Sequence, residues 1–423
     1  MSRLSRRQLL QCGAAAAVAA PWFIPSGILA ANGQPGPNDR IGVGGIGVGG
    51  RARMLLDQLP KDGRLVALSD CRVAAAEQYK SHKKGDWPIY QYHQKLLERK
   101  DIDAVIIGTR EFQRVLPSIH AVQAGKDVYA EKPLSLYIRE GRVLVDWVRR
   151  TKRVFQVGTQ QRSMAMNRIA CELIRTGGLG KIKEVQAPTY PGPGESPKIT
   201  QGEPVPPGLD WDVWLNQVAW RPYTRNMGGG GRDFDGCEMT NWGAHGVDQI
   251  QWALGMDDTG PVEMWPLTPG FSGKVEMRYA NGVPLRFVLD HGPYGGGVFV
   301  CEKGKLEINR NKFTSNPKSI AIELLKKVNE AHEEKIWSDQ TAMWQAQWHI
   351  QNWLDCVRTR AKPVADVEIN QRSVSVCHLA NITRWVGRRL KWDPVKEQFI
   401  DDDEANRWVN RPRRQGYELP AVT

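Results

Sequence analysis

The chain reads as an α/β protein, with an N-terminal doubly wound parallel sheet followed by a C-terminal α+β region rich in antiparallel strands. Three observations predict it. The stretch "RIGVGGIGVGG" places a glycine-rich loop after a short β run and before an apolar helical pattern. Fully apolar runs such as "DAVIIGT" alternate with helical periodicity, as buried parallel strands joined by crossover helices do. Further on, apolar and polar residues alternate around the turn dipeptides Asn281-Gly282 and Lys303-Gly304, the signature of hairpins.

A separate segment, residues 1–31, precedes this architecture. Arg3, Arg6 and Arg7 form a basic start with no acid before Asp39, Leu9 to Ala20 form a short apolar run, and Ala30-Ala31 offers a cleavage site. The run is broken by Pro21 and Pro25 and is too short for a membrane span. Ser5-Arg6-Arg7-Gln8-Leu9-Leu10 resembles the twin-arginine signal, whose machinery exports folded cargo, so a periplasmic location is expected. Cys12 follows Gln11, which is not the small residue that lipid-anchor cleavage needs.

The 423 residues suit two domains, each with its own core. The formal charge of +12 is scattered in short clusters, with no basic stripe interleaved with aromatics, which argues against nucleic acid. Seven cysteines without a CxxC pair give no metal framework. A cargo folded before export needs no disulfide, so buried thiols are expected. Trp211, Trp214 and Trp220 lie in the Pro/Gly-containing stretch "PVPPGLDWDVWLNQVAWRPY", where they either stack on sugar rings or pin down a long loop.

Residues 32–155 read as a dinucleotide-binding domain of the Rossmann type. Gly42, Gly44 and Gly47 fit G-x-G-x-x-G, with Gly45 and Ile46 inside the loop. In that motif the glycines allow the tight turn, the approach of a pyrophosphate and close helix packing. The second strand, "RLVALSD", ends in Asp70, suited to the adenosine ribose hydroxyls and repulsive to a 2′-phosphate. NAD is therefore expected, while Arg72 leaves NADP open. Thr109 and Glu131 end the next two apolar strands and are further cofactor candidates.

At Glu131-Lys132-Pro133 the chain resembles the glucose–fructose oxidoreductase and inositol dehydrogenase family, Gfo/Idh/MocA. The likeness runs from about Arg40 to Trp392 and includes "VGTQQRS" and "MTNWGAHGVDQIQWALG". It implies that residues 156–400 form a substrate domain built on an open, mostly antiparallel sheet with helices on one face, with 401–423 as a tail. It also implies a homo-oligomer, dimer or tetramer, through the uncovered sheet face.

The same resemblance implies an oxidoreductase acting on a sugar carbinol. His245 takes the position of the family's proton-transferring histidine, and Lys132 that of the group hydrogen-bonded to the reacting oxygen. Two departures stand out. Asn241 replaces an acid one turn before His245, where it could orient the imidazole; Asp248 would substitute as its carboxylate partner or cap local structure. "GTREFQR" puts Arg110 and Arg114 where relatives carry a proline and a histidine. Gln160, Gln161 and Arg162, with Arg232, Asp233 and Asp235, are candidates for binding sugar hydroxyls, or else members of polar turns.

Folded export and a nicotinamide cofactor are compatible if the cofactor is loaded first and stays bound. It must then be regenerated on the protein. Three functions fit: sugar oxidation with tightly held NAD(P), a redox-neutral glycosidase or lyase acting through a transient keto-sugar, or a non-catalytic sugar sensor.

Overall fold

The computed structural model describes residues 39–226, 231–330 and 346–422; the twin-arginine reading of residues 1–31 falls outside them. Six strands, β1 (Ile41–Ile46), β2 (Gly63–Ser69), β3 (Ile89–Tyr90), β4 (Ala104–Ile107), β5 (Asp127–Ala130) and β6 (Phe155–Val157), form one parallel sheet in the order β3-β2-β1-β4-β5-β6. Every residue of β1, β4 and β5 is buried, which is why these segments read as unbroken apolar runs. Helices α1 (Gly50–Asp57), α2 (Val73–Lys83), α3 (His93–Leu97), α4 (Glu111–Gln123) and α5 (Ile138–Thr151) supply the crossovers. The strand order reverses between β1 and β4, and their carboxyl ends open the crevice where such sheets bind ligands.

The chain continues through α6 (Ala165–Arg175), β7 (Ile182–Pro188), α7 (Trp211–Leu215) and α8 (Glu238–Leu254). Then follow β8 (Pro261–Pro266), β9 (Val275–Tyr279), β10 (Pro284–Leu289), β11 (Gly297–Cys301), β12 (Gly304–Asn309) and β13 (Lys312–Asn316). With β14 (Leu390–Asp393) and β15 (Gln398–Phe399) these form a nine-stranded sheet, antiparallel except where β10 runs parallel to β7. The expected fold class is the observed one. Both predicted hairpins form: β9 and β10 pair across Gly282 at φ +83°, and β11 and β12 pair as far as Cys301 and Gly304.

Alternation within the strands separates two faces. Leu285, Phe287, Val275 and Met277 are buried beneath α6, α8 and α11 (Val367–Val386). The opposite face carries Glu184, Glu276 and Arg286, with Arg286 Nε 2.8 Å from a Glu276 carboxylate oxygen, and Trp265 beneath Arg389. Between β13 and α11 the chain carries α9 (Lys318–Glu330), then α10 (Gln347–Thr359). Helix α10 packs into the Rossmann core, where Trp353 meets Tyr129 edge-on at 5.8 Å. Helix α11 reaches the same domain through Gln371 and His378, bonded to the carbonyls of Ile138 and Ser135.

The tryptophan-rich stretch forms a small core of its own. Trp211 and Trp214 are buried and stacked at 4.7 Å, and Phe112 meets Trp214 edge-on at 5.4 Å. Those two rings therefore pin the loop, whereas Trp220 is exposed. The six cysteines among the described residues are free thiols, four of them buried. No helix among the described residues is long and apolar enough to cross a membrane.

Candidate active site

At the end of β1 the backbone turns at Gly47, φ +78°, and α1 starts at Gly50 with Gly49 as its cap. A Cβ on Gly47 would lie 2.8 Å from the Thr109 amide nitrogen, whereas one on Gly49 or Gly50 meets nothing within 4 Å. Open space thus stands over the N–H groups that begin α1, the arrangement that receives a pyrophosphate. The fingerprint is Gly45-x-Gly47-x-x-Gly50, and the expected register is corrected by three residues. Gly42 and Gly44 lie inside β1 because neighbours press on it: a Cβ would meet the Asp101 carbonyl oxygen at 2.1 Å and Leu96 at 2.8 Å respectively. Gly45 and Ile46 are also strand residues, and Gly45 admits the Leu68 side chain.

A cavity of about 760 Å³ adjoins this loop, of the size that holds a small-molecule ligand. Gly47, Gly49, Asp70, Arg72 and Thr109 line it. Asp70 accepts the Val48 N–H at 2.7 Å and the Arg72 N–H at 2.8 Å, and burial pushes its carboxyl pKa up. Thr109 Oγ1 is buried without a hydrogen-bond partner. The open cradle, the carboxylate at the end of β2 and this orphaned hydroxyl all fit a dinucleotide. Arg72 in the same wall keeps a 2′-phosphate compatible with the site. The tail closes another side through Gln415, Gly416 and Tyr417.

Lys132 follows β5 and crosses to α8. Its ammonium donates to the Asn241 carbonyl oxygen at 3.0 Å and to Asn241 Oδ1 at 2.7 Å. Burial pulls its pKa down to about 8. His245 stands one turn further along α8, buried, with its ring 5.9 Å from Trp242 and no hydrogen-bond partner at Nδ1. Burial first, then the charges of Lys132, Arg310 and Arg51, hold its pKa well below the usual imidazole value, so the ring is neutral. Lysine and histidine therefore lie close together beyond the end of β5, the Lys132 charge acting on the imidazole, and neither lines the cavity beside the glycine loop.

The supporting shell differs from expectation. Asn241 holds Lys132 and donates to Glu238 at 3.0 Å, so its amide is not directed at the imidazole. Asp248 is no partner of His245: it accepts from Arg162 Nε at 2.8 Å and Ser373 Oγ at 2.9 Å. Arg162, fully engaged by Asp248 and Asp257 and buried, braces α8 and cannot meet a sugar. Gln160 is likewise buried, donating to Tyr129 and Glu131 at 3.0 Å each, and Gln161 donates to the Gly295 carbonyl. Arg232 lies over the Trp408 ring at 4.5 Å, and Asp233 pairs with Arg221 at 3.1 Å. These seven side chains are engaged by tertiary contacts, only Gln161 Oε1 among their polar atoms being buried without a partner.

Glu131 sits beneath Lys132. Burial raises its pKa, but the charges of Arg51 and Lys132 outweigh this and hold it below the usual value; Arg51 Nε is 2.8 Å away. Arg114 is buried and donates to the carbonyls of Pro133 and Thr109, joining the two strand-end loops. Arg110 lines the cavity above Trp214 at 6.0 Å. Among the described residues no cluster of His, Cys, Asp or Glu could hold a metal ion.

Two family models cover most of the chain: an oxidoreductase-family NAD-binding Rossmann fold over residues 40–159, and an oxidoreductase-family C-terminal alpha/beta domain over 196–419. The chain belongs to the Gfo/Idh/MocA oxidoreductase family. Its N-terminal domain is an NAD-binding Rossmann domain. The inositol 2-dehydrogenase of Agrobacterium fabrum is 36% identical over 129 residues, which span 29% of this chain and 37% of that enzyme. Two solved structures share the fold. The WlbA dehydrogenase of Chromobacterium violaceum, in complex with NADH and UDP-GlcNAcA, superposes with TM-score 0.61 at 19% identity, covering 85% of this chain and 98% of that one. Scyllo-inositol dehydrogenase from Lactobacillus casei, with bound NAD(H) and scyllo-inositol, gives 0.54 at 15% identity over 83% and 99%.

Three side chains of this Gfo/Idh/MocA protein enter the site without having been expected. Arg51 follows the glycine loop directly, a position its register would have flagged. Glu111, first residue of α4, is buried, accepts from Thr240 Oγ1 at 3.0 Å and from the Gly236 N–H, and burial pushes its pKa up to about 7. Arg310, in the β12–β13 turn, carried no sequence signal; only the fold brings that turn to α8.

Proposed function

We propose that this protein is an exported oxidoreductase that oxidises a carbinol of a sugar or sugar derivative with tightly held NAD. The observation that carries the reading is the approach of Lys132, from the end of β5, to the helix of His245: its ammonium bonds Asn241 one turn before the imidazole, and its charge acts on that ring. Bound NAD supplies the hydride acceptor. The neutral His245 imidazole takes the hydroxyl proton as the carbonyl forms, and the Lys132 ammonium hydrogen-bonds the oxygen as it gains alkoxide character. The inositol- and sugar-named relatives support a polyol substrate. Dimers or tetramers assembled through the uncovered face of the nine-stranded sheet belong to this proposal.

Retention of the cofactor is supported by the tail. Arg411 pairs with the buried Glu140 at 2.7 Å, Trp147 bonds the Pro420 carbonyl at 3.0 Å, and Tyr417 donates to Asp212 at 2.7 Å. Such enclosure also favours a second reading, redox-neutral cleavage of a glycoside, because a captive cofactor must recover its oxidised form in place. The test is to add mono- and disaccharides to protein as purified. A stoichiometric rise in reduced-nicotinamide absorbance without added acceptor supports oxidation; release of aglycone with no net change supports the second reading. Absence of both, with no dinucleotide in the protein, defeats each. Export is tested by Arg6→Lys with Arg7→Lys, expected to retain the protein in the cytoplasm.

A further inference from the structure

Arg310 is a half-buried cation that makes no direct ion pair among the described residues, the Glu131 charge reaching it only from a distance. Its turn is held rigidly: Asn167 Nδ2 donates to the Asn309 carbonyl at 2.9 Å, Asn167 Oδ1 accepts the Asn311 N–H at 2.7 Å, and Asn309 Oδ1 accepts the Arg310 N–H at 2.8 Å. The guanidinium carbon lies 5.8 Å from the centre of the Trp242 ring, which itself adjoins His245. Arg310 Nε is buried and has no hydrogen-bond partner. The other arginines beside the cleft differ. Arg51 pairs with Glu131 and Arg162 with Asp248 and Asp257, while Arg114, whose Nε also lacks a partner, donates to two carbonyls through its terminal nitrogens.

A guanidinium whose Nε is withdrawn from water with no acceptor carries a desolvation cost that a bound anion would offset. The local balance agrees. Lys132, Arg310 and Arg51 all act on His245 as positive charges, while the neighbouring carboxylate, Glu131, is engaged by Arg51 and Gln160. A planar fork of N–H donors matches a carboxylate in two-point contact. The pyrophosphate cradle is a separate feature, at the start of α1, whereas Arg310 comes from the substrate-side sheet and faces the aromatic neighbour of His245.

We propose that Arg310 anchors a carboxylate on the substrate, so that the site takes sugar acids in preference to neutral sugars. This rests on the oxidoreductase reading of the same cleft and narrows its substrate class. The experiment compares D-glucuronate and D-galacturonate with glucose, galactose, myo-inositol and glucose 6-phosphate, following reduced nicotinamide in the holoprotein. The uronates are expected to half-saturate at concentrations about 10-fold or more below those of the neutral sugars. Arg310→Gln is expected to raise the uronate value about 10- to 100-fold and abolish the preference, with bound dinucleotide still stoichiometric. Arg310→Lys should restore part of it.

Equal or tighter saturation by the neutral sugars, or a preference for the phosphate over the uronates, overturns the proposal. So does loss of bound dinucleotide in Arg310→Gln, which would assign Arg310 to the cofactor. If no sugar changes the spectrum, the oxidoreductase reading fails, and calorimetric titration with glucuronate then decides the anion site alone. Binding by the unaltered protein that Arg310→Gln loses upholds the site; no binding by the unaltered protein defeats it.

Discussion

Asn241 links the two groups of the proposed chemistry. As an amide it accepts the Lys132 ammonium at 2.7 Å without supplying a charge, so nothing there opposes the burial that holds the lysine near 8. If the ammonium form steadies the reacting oxygen, kcat/KM falls as pH rises through about 8. Asn241→Asp, combined with Glu238→Gln to remove a neighbouring like charge, should move that alkaline limb upward by about 1 to 3 pH units. An unmoved limb would show that another group sets it. Lys132→Met should keep bound dinucleotide and lose about 10²- to 10⁴-fold in single-turnover reduction.

Glu111 makes a further residue-scale prediction. Its folded pKa of about 7 lies above the ordinary carboxyl value, so between pH 4.5 and 7 the folded chain holds a proton that the unfolded chain has released. Its contribution to stability is therefore full below about 4.5 and lost as pH rises through 7, up to about 3 kcal/mol. Denaturant unfolding of Glu111→Gln at pH 5 and 7 should show a flatter profile than the unaltered chain; identical profiles would count against a protonated Glu111. At this scale Lys132 and His245 were legible because a strand end and a helical turn fix where they stand. Asp248, Arg162 and Gln160 were not, since which buried polar groups satisfy one another is decided by contacts between distant segments.

At the scale of the element, the glycine loop shows what repetition conceals. Six glycines among residues 42–50 offer overlapping G-x-G-x-x-G frames, and the sequence alone does not mark where β1 ends. The structure marks it by positive φ at Gly47 and open space at Gly50. Gly50→Ala should therefore fold normally, since its Cβ meets nothing within 4 Å, yet retain less dinucleotide because the methyl enters the cradle. Gly42→Ala should do the reverse. Its Cβ would press to 2.1 Å on the Asp101 backbone and cost about 1–3 kcal/mol, measured by thermal unfolding of the holoprotein. If Gly42→Ala alone emptied the site, the corrected register would be wrong. The hairpins were legible for the opposite reason: Asn281-Gly282 permits one turn and one register.

On the scale of the whole molecule, the chain's order along the sequence and its arrangement in space part company. Helix α10 follows the second sheet's hairpins yet completes the Rossmann core, and the last residues return to line the dinucleotide cavity. Neither path has a local signature, because the tail "RWVNRPRRQGYELPAVT" carries arginines, Arg411 and Arg414, whose partners, Glu140 and Asp212, lie far back in the sequence. The buried pair weighs more than the exposed one. Losing both Arg411 and Arg413 leaves the Glu140 carboxylate an uncompensated buried charge, whereas the rim contact at Asp212 is open to screening. If this tail keeps the cofactor captive, ending the chain after Val409 should let dinucleotide escape during gel filtration, with 260 nm absorbance leaving the protein peak. Tyr417→Ala, which removes a cavity-lining ring and its bond to Asp212 without touching Glu140, should speed that loss while leaving the melting temperature of the cofactor-free protein unchanged. Retention of stoichiometric dinucleotide by both variants would mean that the glycine cradle and Asp70 hold it unaided, and the tail would then be a brace for α5 and the aromatic core beside it.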